Sequence, residues 1–152
     1  MADYAGAKAA IREWLEDNWT TTPITYQNED PEQPWPPLRT SGSPAPWIHL
    51  RIRDTGSRIW TFGTANNRGW RYDGQIIVHV FTPVGEGTAE ADQCAVAIGE
   101  IFRAAKFYDD GLGSYIRTLA PEVIGGDNAT ESEDGKWFGV TMSVDFTYWH
   151  RG

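Results

Sequence analysis

The chain has 152 residues, of which 40% are apolar and 13% aromatic, a composition that suits one globular domain and excludes a disordered chain. Its net charge of −8 argues against a protein that binds nucleic acid mainly by neutralising phosphates. A single cysteine excludes a disulfide framework, and no apolar run approaches the roughly 20 residues of a membrane span. We therefore expect one domain over residues 1–152, made in a cytoplasm and without a membrane partner.

The first predicted element is an amphipathic helix over residues 3–19. Three threonines followed by Pro23 should end it, because β-branched residues before a proline disfavour helical backbone. Residues 24–27 are then predicted to form a short strand. The stripe of the helix, at three-to-four-residue spacing, consists of Tyr4, Ala7, Ile11, Trp14, Leu15 and either Asn18 or Trp19.

Residues 28–46 are predicted to form a long loop. The segment contains six prolines and Gly42, and prolines at this density remove the donors that helices and sheets need. Trp35 lies inside it, flanked by prolines. Because a loop of this length in a small domain is often functional, we expect it to contribute to a site.

Strands are predicted over residues 47–53, 58–62 and 70–82, joined by turns at 54–57 and 66–69. Alternation of apolar and polar residues separates a core face from an outward face. The outward face carries aromatic, histidine and arginine side chains, which is typical of a surface that contacts a partner. The residues assigned to the core face are Ile48, Leu50, Ile52, Ile76, Val78 and Val80.

A second helix is predicted to follow Thr88, whose side chain can cap it. Glu90 and Asp92 fall in its expected first turn, and Arg103 and Lys106 in its expected last turn, as the helix dipole favours. The stripe that should face the sheet consists of Ala91, Cys94, Ala95, Ile98, Ile101, Phe102 and Ala105.

The C-terminal part is predicted to be a β-hairpin with arms over residues 116–124 and 137–149 and a turn near Asp134-Gly135, a pair suited to positive φ. Helix, strands, helix and hairpin in this order indicate an α+β fold. We expect an antiparallel or mixed sheet with the two helices packed on one face.

The sequence contains no motif typical of a catalytic, cofactor or metal site, and we predict that the protein is not an enzyme. His49, His79 and Asp145 share the outward face, so a three-ligand metal site is conceivable, but hydrogen-bonded histidines on a partly covered face are the favoured interpretation. The turn at 85–88 lacks the lysine and the spacing of a phosphate loop. Cys94 lies on the buried stripe, where cysteines are unreactive.

Charge is distributed unevenly along the chain. The segment from Arg51 to Arg71 holds five arginines and one acid, a net +4 that leaves −12 elsewhere. Its aromatics could stack nucleic-acid bases, yet tryptophan and arginine also anchor protein interfaces. The overall acidity favours a protein partner. The candidate interface residues are Trp35, Trp47, Arg51, Arg53, Arg58, Trp60, Phe62, Arg68, Trp70, Arg71, Trp137 and Trp149.

The strand over 74–83, ending in Phe81-Thr82-Pro83, the glycine-containing turn at 85–88 and the small-residue-rich helix after it together resemble phage tail-terminator-like proteins. The order of elements matches over most of the chain, whereas loop 28–46 matches no part of that pattern.

The resemblance implies a structural virion protein of a phage or phage-derived particle, assembled in the host bacterial cytoplasm. It would form a homo-oligomeric, six-fold ring at the head-proximal end of the tail tube, stop tube polymerisation and give the head–tail connector a docking surface. Its partners would be itself, the tube protein and the connector, with DNA only passing through the lumen and with no cofactor. The alternatives are another neck or tail-completion protein, or a small ligand-binding protein or enzyme with a pocket between the sheet and loop 28–46.

Overall fold

A computed structural model describes residues 4–151 apart from 32, 34, 62, 64–66 and 129–136. These described residues form two helices and one six-stranded sheet in the order β1-β2-β3-β6-β5-β4. Strands β1 and β2 are parallel and the other neighbours are antiparallel, so the expected α+β fold with a mixed sheet is confirmed. The elements are α1 (Tyr4–Asn18), β1 (Ile24–Tyr26), β2 (Trp47–Thr61), β3 (Gly69–Pro83), α2 (Ala89–Phe102), β4 (Lys106–Phe107), β5 (Tyr115–Asn128) and β6 (Trp137–Arg151).

The core lies between the helices and one face of the sheet, because alternation in the strands and three-to-four-residue spacing in the helices put their apolar side chains on facing surfaces. Trp14 joins several elements: its ring stacks on Phe107 with centroids 4.8 Å apart, and its indole N–H donates to the Ile101 carbonyl at 3.1 Å. The fully buried core side chains include Ile11, Leu15, Ile48, Ile76, Val78, Val80, Ile98, Phe102, Met142, Phe146 and Tyr148.

The predicted turn at 54–57 is wrong, because β2 runs without interruption through this segment. A β-bulge shifts the pairing with β3 between Asp54 and Gly56. The Asp54 carboxylate accepts a hydrogen bond from the Tyr4 hydroxyl and forms an ion pair with Lys8 at 3.2 Å. Residues typical of a turn are therefore held as a bulge by contacts with α1, 46 and 50 residues away in the sequence.

The bulge inserts one extra residue into β2 and thereby changes which side chains face outward. After it, Arg58 is opposite Arg71 and Ile59 is opposite Trp70. Without the insertion, alternation would turn Arg58 toward the helix side. The bulge therefore brings Arg58 to the same face as Arg51 and Arg53.

Helix α2 ends earlier than predicted, and its expected basic last turn is absent. Arg103 is the extended C-cap residue, and Lys106 belongs to β4. The chain leaves the helix to pair with β5, since the Ala105 amide donates to the Thr118 hydroxyl at 2.8 Å. Thr88 occupies the N-cap position as expected, but its side chain makes no capping hydrogen bond.

Within the described ranges, neither helix combines the length and the apolar content needed to cross a membrane.

Candidate functional site

The sheet face opposite the helices is the candidate site, and we call it the outer face. The strand pairing aligns its side chains in rows across β2, β3, β6 and β5. One end of the face is aromatic and the other is rich in arginine. From the aromatic end, the successive rows are Trp47–Phe81–Gly139, His49–His79–Thr141, Arg51–Ile77–Ser143–Glu122, Arg53–Gln75–Asp145, Gly56–Asp73–Thr147–Arg117 and Arg58–Arg71–Trp149–Tyr115.

Four rings form an aromatic cluster at one end of the outer face: Trp35, Trp47, Phe81 and Trp137. The Trp47 ring stacks on Phe81 with centroids 4.4 Å apart. Trp35 and Trp137 meet Trp47 edge-on at 4.9 and 5.9 Å. Edge-to-face and offset-stacked rings are the favourable arrangements of aromatic side chains, so Trp47 is the central contact of the cluster.

Loop 28–46 carries Trp35 into this cluster because it is folded back and attached to α2. Arg39 forms ion pairs with Glu86 at 2.9 Å and Glu90 at 3.0 Å. Within the loop, the Ala45 amide donates to the Pro37 carbonyl at 2.9 Å. The only sign of this attachment in the sequence is that Arg39 is the single base in the loop, while Glu86 and Glu90 are two acids at the start of α2 and in the turn before it.

His49 and His79 lie next to the aromatic cluster with nearly parallel rings, their centroids 6.5 Å apart. Each Nδ1 is hydrogen-bonded to a threonine hydroxyl, Thr25 at 2.8 Å and Thr141 at 2.9 Å. Asp145 is opposite Gln75, two rows further along the sheet. The structure therefore does not bring His49, His79 and Asp145 together as a three-ligand metal site. Within the described part of the chain, there is no group of three His, Cys, Asp or Glu side chains that could hold a metal ion.

Burial lowers the pKa of His49, and the neighbouring His79 and Arg51 lower it further. In the unfolded chain a histidine titrates near pH 6.5, so below that pH the unfolded state binds more protons than the folded state. We predict that this group leaves the free energy of unfolding unchanged above about pH 6.5. As the pH drops from there through the pKa of the folded state, the free energy of unfolding should fall. The slope is at most about 1.4 kcal/mol per pH unit, the limit for one proton, and solvent around the partly exposed ring makes the loss smaller.

Urea denaturation at pH 7.5, 6.5 and 5.5 measures this dependence. His49→Gln should flatten the decline between pH 6.5 and 5.5, because carboxylates titrate mostly near pH 4. An equal decline in wild type and variant would contradict the assignment to His49.

The arginine end of the outer face is incompletely neutralised. Arg71 forms an ion pair with Asp73 at 2.9 Å, and its guanidinium lies 5.9 Å from the Trp149 ring centre. In the region that the structure describes, Arg51, Arg53 and Arg117 are exposed and have no carboxylate within ion-pair distance. Exposed cations beside half-buried aromatic rings are suited to an acidic partner surface.

The sequence-predicted interface residues are only partly brought together. Trp70 belongs to the face of β3 that is turned toward the helices, where it is paired with His150, and so it is not on the outer face. Arg68 precedes β3 and is exposed, and it donates a hydrogen bond to the Gly63 carbonyl at 3.3 Å. Phe62 and the side chain of Trp60 fall outside the described residues. The outer face unites Trp35, Trp47 and Trp137 at one end and Arg51, Arg53, Arg58, Arg71 and Trp149 toward the other, and it adds Phe81, Tyr115 and Arg117, which sequence reasoning missed.

A separate cleft of about 450 Å³ lies between α1, β1 and the start of loop 28–46. Arg12 binds Glu29 at 2.7 Å and Glu16 at 3.1 Å, and it stacks 3.6 Å above the Tyr26 ring centre. The Tyr26 hydroxyl donates to Glu16 and lowers the pKa of that carboxyl. These charged groups satisfy one another. Thr25, whose hydroxyl is hydrogen-bonded to His49 Nδ1 at 2.8 Å, also lines the cleft.

No protein-family model matches the sequence, and no curated protein matches it. A solved structure whose name describes no function is similar over 97% of this chain and 96% of its own length, with a TM-score of 0.65 and 16% sequence identity. At that identity the likeness establishes a shared fold. The shared fold extends over nearly the whole of both chains.

Proposed function

We propose that this protein is a structural subunit of a phage or phage-derived tail. In this proposal it forms a ring, six-fold by the resemblance of residues 74–88, at the head-proximal end of the tail tube. The ring ends tube polymerisation and offers the head–tail connector a docking surface. The observation that supports the proposal best is the outer face, an exposed sheet surface with an aromatic cluster at one end and uncompensated arginines toward the other.

The composition of the outer face favours a protein partner. Tryptophan and arginine are enriched among the residues that dominate the energy of protein interfaces. Arg51 and Arg53 need an acidic partner to be neutralised, and the rest of the chain is strongly acidic. Complementary charges of this kind set the register and the orientation of a contact.

A ring also requires two different surfaces on each subunit, since head-to-tail contacts repeat around the symmetry axis. The separation of a basic outer face from an acidic remainder provides two surfaces of opposite charge on one chain. Another neck or tail-completion protein of the same particle is the alternative that fits this surface, and it would bind the connector without binding tube ends.

The test is a tube-capping assay with the purified tube protein of the same particle. We expect wild type to bind one end of each tube in negative-stain images and to limit tube length. Arg51→Glu combined with Arg53→Glu should weaken end binding by about tenfold or more, because two interface cations become anions.

The matched control is Arg103→Glu, which follows α2 on the helix side and is compared with Arg51→Glu alone, since the two single variants make the same change in net charge. The Arg103 side chain is more than half exposed and forms an ion pair only with its near neighbour Glu100 in the described residues, so its replacement costs little stability. The proposal fails if wild type does not bind tube ends, or if the outer-face variant caps as well as the control.

A further inference from the structure

Both edges of the sheet are largely unpaired, because the outermost strands are short. Strand β1 covers β2 only from Ile48 to Leu50. Beyond it, the Gln27 side chain accepts a hydrogen bond from the Ile52 amide at 3.3 Å. Strand β4 covers β5 only at Ile116 and Arg117. In the described part of the chain, 53–61 of β2 and 120–128 of β5 therefore have no neighbouring strand on one side. Such edges are templates for pairing with another strand.

The two free edges are complementary on both faces of the sheet. On the outer face, the β2 edge presents Arg53 and Arg58, and the β5 edge presents the exposed carboxylate of Glu122 next to Ile124, which is 52% exposed. On the helix side, Ile59 is 46% exposed on β2 and Val123 is 39% exposed on β5. If the sheet continued from β5 of one copy to β2 of the next, charge would meet opposite charge and apolar surface would meet apolar surface.

Pairing of identical edges is disfavoured by the same residues. Two β2 edges would bring arginines together, and two β5 edges would bring carboxylates together, which destabilises directly opposed strands. A contact between β2 and β5 is heterologous, so it repeats from copy to copy and generates a ring when the rotation closes.

Strand directions also suit this contact. Strands β2 and β6 run one way, and β3 and β5 run the other way. When copies keep the same orientation around an axis, β5 of one copy is therefore antiparallel to β2 of the next. The two free segments lie at different heights in the sheet, offset along the strands by about seven residues, or roughly 20–25 Å. Neighbouring copies must therefore be shifted along the strands to pair them. Closed sheets have such a shift in register, because their strands tilt by about 35–45° from the axis.

We infer that the subunit contact is an antiparallel pairing of the β2 edge of one copy with the β5 edge of a second copy of this chain. The inference deepens the proposed function and depends on its ring. It specifies that Glu122 lies beside an outer-face arginine of the neighbouring copy, and that β-strand addition continues the sheet from subunit to subunit.

Disulfide trapping between two single-cysteine variants tests the contact, with Cys94→Ala as the common background. Glu122→Cys is mixed with Arg58→Cys, which suits the full stagger of the free segments, or with Arg53→Cys, which suits a smaller stagger. Oxidation is carried out with and without tube ends present. We expect about tenfold more heterodimer than either homodimer from one of the two mixtures, against about twofold for random collision.

Arg103→Cys on the helix side is the matched control and should give no preferred partner. Homodimers in excess, or heterodimers at the random ratio both with and without tube ends, would overturn the edge contact. The two proposals fail separately. Tubes capped without the preferred heterodimer leave the proposed function standing, whereas the preferred heterodimer without capping leaves the edge contact standing and removes the terminator function.

Discussion

Replacement of Trp47 by alanine is expected to lower the free energy of unfolding by about 3 kcal/mol. Trp47 is the one ring of the aromatic cluster that contacts Trp35, Phe81 and Trp137. Its indole nitrogen is buried and has no hydrogen-bond partner in the described residues, so the expected loss arises from packing and from the cavity left behind. Urea denaturation followed by circular dichroism measures the change.

The same substitution should free loop 28–46, since Trp35 would lose its principal ring contact. Limited proteolysis in native buffer should then cut within 28–46 several-fold faster than in wild type. Trp149→Ala is the matched control: that tryptophan is half-buried at the arginine end and contacts Tyr115, and its loss should leave the loop as resistant as in wild type. Equal destabilisation and equal cleavage in the two variants would contradict a specific role for Trp47.

Local periodicity was sufficient to predict most of the fold. Strand β3 and helix α2 each carry a long and regular apolar pattern, and in both most of the residues predicted to face the core are buried. Regular patterns determine which face is buried whatever the neighbours are. The element order and the α+β class then follow from packing apolar faces together.

The features that sequence reasoning missed all depend on contacts between distant residues. Asp54-Thr55-Gly56-Ser57 has turn composition, and only the contacts of Tyr4 and Lys8 with Asp54 show that it is a bulge. The attachment of loop 28–46 depends on Arg39 and on carboxylates 47 and 51 residues away. Local composition carries no information about such pairs.

The sequence was sufficient to predict which segment contributes to the candidate site, but not which of its side chains lie on the same face of the sheet. Counting charges located the arginines between Arg51 and Arg71, but adjacent strand residues point to opposite faces, so Trp70 and Arg71 cannot share one. The bulge then decides that Arg58 joins Arg51 and Arg53. The β5 contributions, Tyr115 and Arg117, enter the outer face only through pairing with β6.

Replacement of Gly74 by alanine is expected to lower the free energy of unfolding by about 2–3 kcal/mol. Gly74 is paired directly with Phe146 across the sheet. A Cβ at this position would lie 2.5 Å from Phe146 Cζ and 2.8 Å from the Arg53 carbonyl oxygen. Phe146 is almost fully buried and the Arg53 oxygen is backbone, so neither can move away without disturbing its surroundings. Urea denaturation of the variant measures the loss.

Gly56→Ala is the matched control on the adjacent strand, because a Cβ there would meet no atom within 4 Å; its effect should stay within about 0.5 kcal/mol. Phe146→Leu introduced into the Gly74→Ala variant should restore part of the stability, although Phe146→Leu alone is destabilising, and a double-mutant cycle measures that coupling. Additive effects of the two substitutions would contradict a steric conflict between them. Because the Arg53 carbonyl adjoins the bulge, the alanine should also displace Arg58 from the outer face, so Gly74→Ala should weaken tube capping under conditions where it remains folded.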